Sequence, residues 1–304
     1  MKRFLAITAS VVMICVAIVI RSSIDDRGGS AAKKPSSGQV TIACVTELAE
    51  QCGGLPGIIV QVEDAAVTAK KIAAGTAHID GWVTFDPWPE IANELARAKV
   101  TGKSARLVAS RLVIAMVAER ESALAPTCGG AVNWKCLGQA IGKQWTEVGG
   151  RADWGTVKAG SPAASSGLGL LLLGNAASGY FGNADFATND FDTDPGFNFW
   201  RSNVTSTPAS FSEFILKFPA AFSAVGTTDR EVQAGKGSRD VALLTPDPAA
   251  SAVVVLAEVD DQRALDLADD LTALLKQAGW MPDPPDATGL PNPGVLLALS
   301  GLAG

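Results

Sequence analysis

From Val40 onward, short apolar runs alternate with stretches of helical spacing, punctuated by Gly, Pro and Asp. Val40–Val45 is rich in β-branched residues and predicts a strand, followed by a short helix or turn in TELAEQCGGLPG. Gly57–Glu63 predicts a second strand, and Asp64 then caps a helix over Ala65–Ala74 that Gly75 stops. His78–Phe85 predicts a third strand, and Asp86-Pro87 opens a helix through about Lys99, because proline fits a first helical turn. Arg106–Val117 is β-like, as one strand or as two broken near Ser110. Val132–Ile141 predicts a helix, and Asn183–Asn203, rich in Asp, Asn and Phe, predicts a loop. From Thr207-Pro208 a helix would align Phe211, Phe214, Ile215, Phe218 and Phe222, a stripe that belongs in a core. Asp229–Ala234 is a short helix, Asp240–Leu244 and Ala252–Leu256 are strands, and Asp261–Ala278 is amphipathic with Leu265, Ala268, Leu271 and Leu275 on one face. Met281–Pro293 is Pro-rich and extended, and the apolar end Val295–Leu302 is too short to span a bilayer. Alternation of strand and helix at this spacing predicts an α/β fold with mainly parallel sheets.

One stretch departs from that rhythm. Trp154–Phe181 reads as a strand at Thr156–Ala159, a loop of small residues at Gly160–Gly167, and a helix that is apolar nearly all round. Ser165, Ser166 and Gly167 fall where that helix begins. A helix start leaves N–H groups unpaired and carries partial positive charge, so this loop suits a polar or anionic ligand group. The alternative is a serine N-cap that serves only a buried helix.

Composition narrows the function classes. Among 304 residues 47% are hydrophobic, 18% charged, and the net charge is −6, with no clustered basic surface of the kind nucleic acid requires. His78 is the only histidine, which excludes a multi-histidine metal site. The N-terminus carries Met1-Lys2-Arg3 and then Phe4–Ile20 without a charge, which suits an uncleaved membrane anchor, with a cleaved signal as the alternative. Residues 1–21 are therefore a signal or anchor, and 22–39, rich in Ser, Gly and Pro, a flexible linker. Beyond Cys15, Cys44, Cys52, Cys128 and Cys136 form two pairs with seven residues between, which is not a zinc spacing. In an exported chain this set predicts disulfides 44–52 and 128–136 out of three connectivities, each contributing about 2–3 kcal/mol; buried free thiols are the alternative. The expected location is the cell membrane, with one N-terminal anchor and the body outside the cytoplasm, or secretion after cleavage.

The order of these elements resembles the type II periplasmic solute-binding proteins, in particular the molybdate-binding-like group and its actinobacterial relatives. The matching pieces run from VTIACV, AAVTAKKIAAG and HIDGWVTFDPWPEI through LVASRLVIAMV and VKAGSPAASSGLGLLLL. DREVQAGKGSRDVALLT, AVVVLA and ALDLADDLTALLKQAGW complete them, over about residues 40–280. The resemblance implies two lobes, 40–108 with 252–304 and 109–251, joined by crossing strands at Arg111–Val117 and Ala252–Ala257. It implies a ligand held in the cleft between them, which agrees with the crevice rule for open α/β sheets. By matched position the ligand-binding candidates are Thr46, Glu47, Asp64 (with Ala65 beside it), Trp82, Ser165, Ser166 and Gly167. Oxyanion binders of the family present Ser or Thr hydroxyls at the first two loops, whereas this chain has Thr46 but also Glu47, and Glu63-Asp64 where a hydroxyl pair would be expected. Two carboxylates there would repel a dianion and suit a cationic or sugar-like ligand.

Other constellations point to less. A serine nucleophile with His78 lacks the G-x-S-x-G elbow, since the sequence around Ser165 is AASSG. Asp190, Asp192 and Asp194 echo a calcium loop, but Pro195 and Arg201 stand where Gly and Glu belong, so a solvated acidic turn is expected. Asn203-Val204-Thr205 matches a glycosylation acceptor. Trp82 and Trp88 lie near the expected cleft, where an indole face could stack on a sugar or cation, though burial is the commoner role. The expectation is a non-enzymatic, monomeric solute-binding protein without cofactor or metal. Its partners would be a small polar solute, a membrane permease or envelope protein, and the membrane through residues 4–20. The alternative is the same fold reused for envelope interaction or sensing without a transporter.

Overall fold

Two sheets share one long strand. The computed structural model describes residues 38–203, 205–207, 221–282 and 289–302. The first part runs β1 (Thr41–Val45), α1 (Ala49–Gly53), β2 (Ile59–Glu63), α2 (Ala65–Ala73), β3 (Gly81–Phe85), α3 (Trp88–Ala96) and β4 (Ser104–Val117). The second runs α4 (Ala118–Leu124), α5 (Trp134–Ala140), β5 (Ala159–Pro162), α6 (Gly167–Phe181), α7 (Thr188–Asp192), α8 (Pro195–Asn203) and β6 (Thr205–Thr207). Then come β7 (Ala224–Thr228), α9 (Asp229–Gly235), β8 (Val241–Leu244), β9 (Ser251–Glu258), α10 (Ala268–Gln277) and α11 (Pro293–Ser300).

The strand order is β2-β1-β3-β9-β4-β7-β5-β6, with β8 also on β4. The first half of β4, Ser104–Arg111, pairs with β9, while Leu112–Met116 pairs with β7 and Ile114–Val117 with β8. β4 thus carries the chain from a first lobe (β1, β2, β3, β9) into a second (β5, β6, β7, β8). The ladders β1–β2, β1–β3, β5–β6 and β5–β7 are parallel, and β3–β9, β4–β9, β4–β7 and β4–β8 antiparallel. The sheets are therefore mixed, without the parallel majority that the alternation of elements predicts. The reason is that β4 and β9 run against their neighbours, since every antiparallel ladder contains one or both of them.

Each lobe has its own apolar core. Ile42, Val45, Leu48, Trp82, Phe85, Trp88 and Ile91 belong to the first, and Ile114, Met116, Leu137, Trp145, Phe191 and Phe197 to the second. α6 joins the two: Leu168, Leu170, Leu171 and Leu172 pack into the first core, Ala176 and Ala177 into the second. α11 does the same with Leu296 on one side and Val295 and Leu299 on the other. This double burial explains why α6 is apolar all round, as a helix without a solvent face must be. Gly174 permits the closest approach, because a Cβ there would lie 2.4 Å from a Leu296 methyl.

Disulfides join Cys44 to Cys52 and Cys128 to Cys136, with Cα atoms 6.5 and 5.5 Å apart. The first ties the end of β1 to α1 across the turn Thr46–Leu48; the second ties the turn Ala125–Cys128 to α5.

Two sequence expectations shift. β5 begins at Ala159, so Gly160, Ser161 and Pro162 extend the strand rather than end it, and Thr156 makes only an isolated bridge to Gln144. Gly160–Pro162 is held by β6 on one side, and Pro162 occupies the last position, where a missing N–H costs little. The stretch Asn183–Asn203 holds α7 and α8 instead of a loop, with Phe191, Phe197 and Trp200 buried. Its acidic residues cap these helices: Asp190 accepts from the Ala187 N–H at 2.7 Å and Asp194 from the Phe197 N–H at 2.9 Å. The phenylalanine stripe from Phe211 to Phe218 and the N-terminal segment lie outside the described residues, as does Val204 of the glycosylation acceptor. Among the described residues no helix is long and apolar enough to cross a membrane.

Candidate interlobe binding site

The turn after β1 carries Thr46 and Glu47 toward the start of α6. Glu47 Oε1 accepts the Leu168 N–H at 2.8 Å, so a carboxylate of the first lobe occupies the free N-terminus of a helix in the second. Ser166 is the N-cap of α6 and accepts the Gly169 N–H at 3.0 Å. Gly167 is needed for this approach: a Cβ there would stand 2.8 Å from the Phe85 ring and 3.4 Å from Glu47 Oε1. The Gly167 carbonyl in turn accepts the Trp88 indole N–H at 2.9 Å.

The start of α2 is satisfied in the reverse sense. Asp64 holds the N-cap position but makes no side-chain cap; its carboxylate accepts the Thr46 hydroxyl at 3.0 Å. The Ala66 N–H donates instead to the Ser165 carbonyl at 3.0 Å. Each lobe therefore terminates a helix of the other, and the Leu168, Gly169 and Ala66 N–H groups at these helix starts are already engaged.

The electrostatics are those of buried acid. Burial pushes the Glu47 carboxyl above the ordinary carboxylate range, Asp64 adds to the effect, and the Leu168 N–H and the Ser166 hydroxyl oppose it. Glu47 Oε2 is buried without a hydrogen-bond partner. Glu231, in the first turn of α9, is also raised, first by burial and further by the charge of Glu47, against the Thr227 hydroxyl, the Thr228 backbone and Arg230. The Thr227 hydroxyl donates to Glu231 Oε2, and Thr228 Oγ1 accepts the Glu231 N–H at 3.3 Å. Two carboxyls that burial disfavours as anions thus lie near enough for one charge to act on the other, Glu47 beside the Ser166 hydroxyl and Glu231 beside that of Thr227. Carboxyl groups so placed accept hydrogen bonds and favour positive charge beside them.

The crossing strands are fastened beside it. Asp229 accepts the Ser110 hydroxyl at 2.5 Å and Arg111 Nε at 2.9 Å, both from the point where β4 changes lobes. Arg230 donates from Nε to the Ala278 carbonyl at 2.7 Å and lies over the Trp280 ring at 5.2 Å.

The structure brings Thr46, Glu47, Asp64, Ser165, Ser166 and Gly167 together across the lobes. Trp82 is set apart from them: it is fully buried, edge-on to Trp88 with ring centroids 6.4 Å apart, and presents no open face for stacking. His78 is exposed in the loop before β3, beside Asp260, rather than within an apolar strand. Sequence reasoning missed Glu231 and Thr227. The signal was present as Thr228-Asp229-Arg230-Glu231, a Thr-x-x-Glu helix-start pattern directly after a strand.

No protein-family model matches the chain, and no curated protein matches it. Among solved structures, iron-bound HitA from Pseudomonas aeruginosa is 13% identical with a TM-score of 0.52, over 86% of this chain and 97% of that one. The sulfate-binding protein SubI from Mycobacterium tuberculosis H37Rv is 17% identical with a TM-score of 0.48, over 84% and 92% of the two chains. The periplasmic binding protein AfuA from Actinobacillus pleuropneumoniae, with exogenous fructose-6-phosphate bound, is 14% identical with a TM-score of 0.49, over 80% and 79%. At such identities the likeness to HitA is one of fold alone. The chain shares with HitA a two-lobed α/β fold, a mixed sheet flanked by helices.

Proposed function

We propose that this chain is an extracytoplasmic solute-binding protein, tethered to the cell membrane through residues 4–20, that captures a small cationic or polyhydroxylated solute between its lobes for transport. The lobes would divide near 40–108 with 252–304 and 109–251, with α6 and α11 shared at the seam. The observation that carries the solute class is the pair of buried carboxyls, Glu47 and Glu231, with Glu47 Oε2 left without a partner. A ligand ammonium or hydroxyl would donate to that oxygen and relieve the burial of charge. A molybdate-like dianion would meet Glu47 where it needed N–H groups, so that subgroup's ligand is not proposed here. No step requires catalysis, a cofactor or a metal, and the partners are the solute and a membrane permease.

A thermal-shift screen of the full-length chain against putrescine, choline, glucose, sulfate and molybdate tests this reading. The expected result is stabilisation by the amine or the sugar through mass action, lost in Glu231→Gln, with no response to the oxyanions. Stabilisation by sulfate or molybdate alone would overturn it.

A second reading, the same fold used in the cell envelope without a solute, is favoured by the direct interlobe bonds of Glu47 to Leu168, Ser165 to Ala66 and Trp88 to Gly167. Lobes joined by their own groups and by the leucines of α6 open at a cost that a solute would have to offset. No response to any probe in the screen would favour this reading over transport.

A further inference from the structure

Beside α6, between β5, α5 and α8, lies a cavity of about 190 Å³. Its walls include Trp134 of α5, Ser161 of β5, Leu172 and Ala176 of α6, and Trp200 and Arg201 of α8. The two indoles are fixed before any ligand arrives. Trp200 donates its N–H to the Trp134 carbonyl at 3.0 Å, and the rings stand edge-to-face with centroids 6.2 Å apart. Trp200 lies directly on the backbone of α5, since a Cβ at Gly138 would fall 1.3 Å from its Cδ1. The disulfide Cys128–Cys136 fastens α5 itself.

The polar groups in these walls are all able to donate. Trp134 is 2% exposed, and its indole N–H is buried without an acceptor. With so little accessible surface, that N–H does not open onto the cavity, and Trp134 contributes ring carbon to the wall. Arg201 donates through Nη2 to the Leu299 carbonyl, and no ion pair joins it to a carboxylate among the described residues. Among the described residues that line the cavity there is no Asp or Glu. Indole N–H and guanidinium are donors only, and the guanidinium carries a permanent positive charge. The remaining wall is apolar, from Leu172, Ala176 and the indole faces.

We propose that this cavity is a second binding site, separate from the interlobe site, for a small monocarboxylate with an apolar body. Arg201 would take the carboxylate, as a charge-assisted donor does, and the leucine and indole walls the apolar part. At about 30 Å³ per water the cavity has the volume of roughly six waters, the size of a short-chain acid.

The test is a titration of the ¹⁵N-labelled full-length chain with hexanoate, following the seven tryptophan indole N–H resonances, with hexylamine and hexanol as probes of charge and acetate as a probe of the apolar body. Hexanoate should move the resonance that Trp134→Phe removes, saturably, while hexylamine leaves it in place and acetate and hexanol bind at least tenfold more weakly. Arg201→Gln should weaken hexanoate about tenfold or more, while Trp134→Phe, which keeps an aromatic wall, serves to assign the resonance. Equal response to hexanoate and hexylamine, or no saturable shift by about 10 mM hexanoate, would overturn the proposal. Should either variant fail to fold, the comparison of the four probes on the native chain decides it.

Discussion

Two helices begin at the same place between the lobes, and they are built on opposite plans. α2 is amphipathic: Ala65, Ala66, Thr68, Ala69 and Ile72 are buried, while Val67 and Lys70 are exposed. Its nominal cap, Asp64, makes no cap bond. α6 is buried through Gly167–Leu172 and Gly174–Ser178, and its cap, Ser166, does bond its own helix. What they share is that a free N–H of each is taken by the other lobe, from the Ser165 carbonyl and from Glu47. The difference shows where the chain commits its apolar surface. α2 flanks one lobe, whereas α6 is part of two cores and sets how they meet.

The largest expected effect comes from α6 itself. Leu170→Ala leaves a cavity at a fully buried position and should cost about 3 kcal/mol in denaturant unfolding, whereas Val67→Ala on the exposed face of α2 should cost no more than about 0.5 kcal/mol. Equal losses would end the distinction between the two helices. Next is Glu47→Ala, which strips the Leu168 N–H of its acceptor and should cost about 1–2 kcal/mol, while Glu47→Gln keeps an acceptor without the charge and should cost less. A smaller contrast separates the caps: Ser166→Ala should cost about 1 kcal/mol and Asp64→Ala only a few tenths, roughly. The smallest effect is in pH. Glu47 and Glu231 are raised when folded, so the folded chain binds more protons than the unfolded one between the ordinary value, 4.5, and the raised one. Their penalty is absent below 4.5 and grows as pH rises through the raised folded values. Glu231→Gln should therefore flatten the loss of stability with rising pH in parallel thermal melts.

Much of this was legible in the chain. The strands and helices of the first lobe follow from local periodicity, because β1 and β3 are buried runs and α2 has a clear apolar face. The loop SPAASSG identified a helix start at the cleft, and its cap serine is Ser166. What local pattern could not give was the partner across the lobes. That Glu47 would end on Leu168, 121 positions away, depends on tertiary approach through Gly167. Asp64 had the residue type and position of a cap, yet the Thr46 hydroxyl competes for its carboxylate. Trp82 was placed beside the right strand, but alternation does not reveal that both faces of that strand are covered, as the burial of every position in β3 shows. The Phe- and Asp-rich stretch before residue 203 lacks simple periodicity because its two helices are short and end on caps.

The central claim is that the interlobe site is built around buried acid and takes positive charge or hydroxyls, with the oxyanion position filled by Glu47. Calorimetric titration with putrescine just above pH 4.5, the ordinary carboxyl value above which the raised groups still hold protons, in buffers of different ionisation enthalpy, tests it most directly. A cation lowers the raised carboxyl values, so binding should release protons, the measured heat should depend on the buffer, and sulfate should give no heat. Binding of sulfate, or of putrescine with no proton release in the wild type and none altered by Glu231→Gln, would contradict the account.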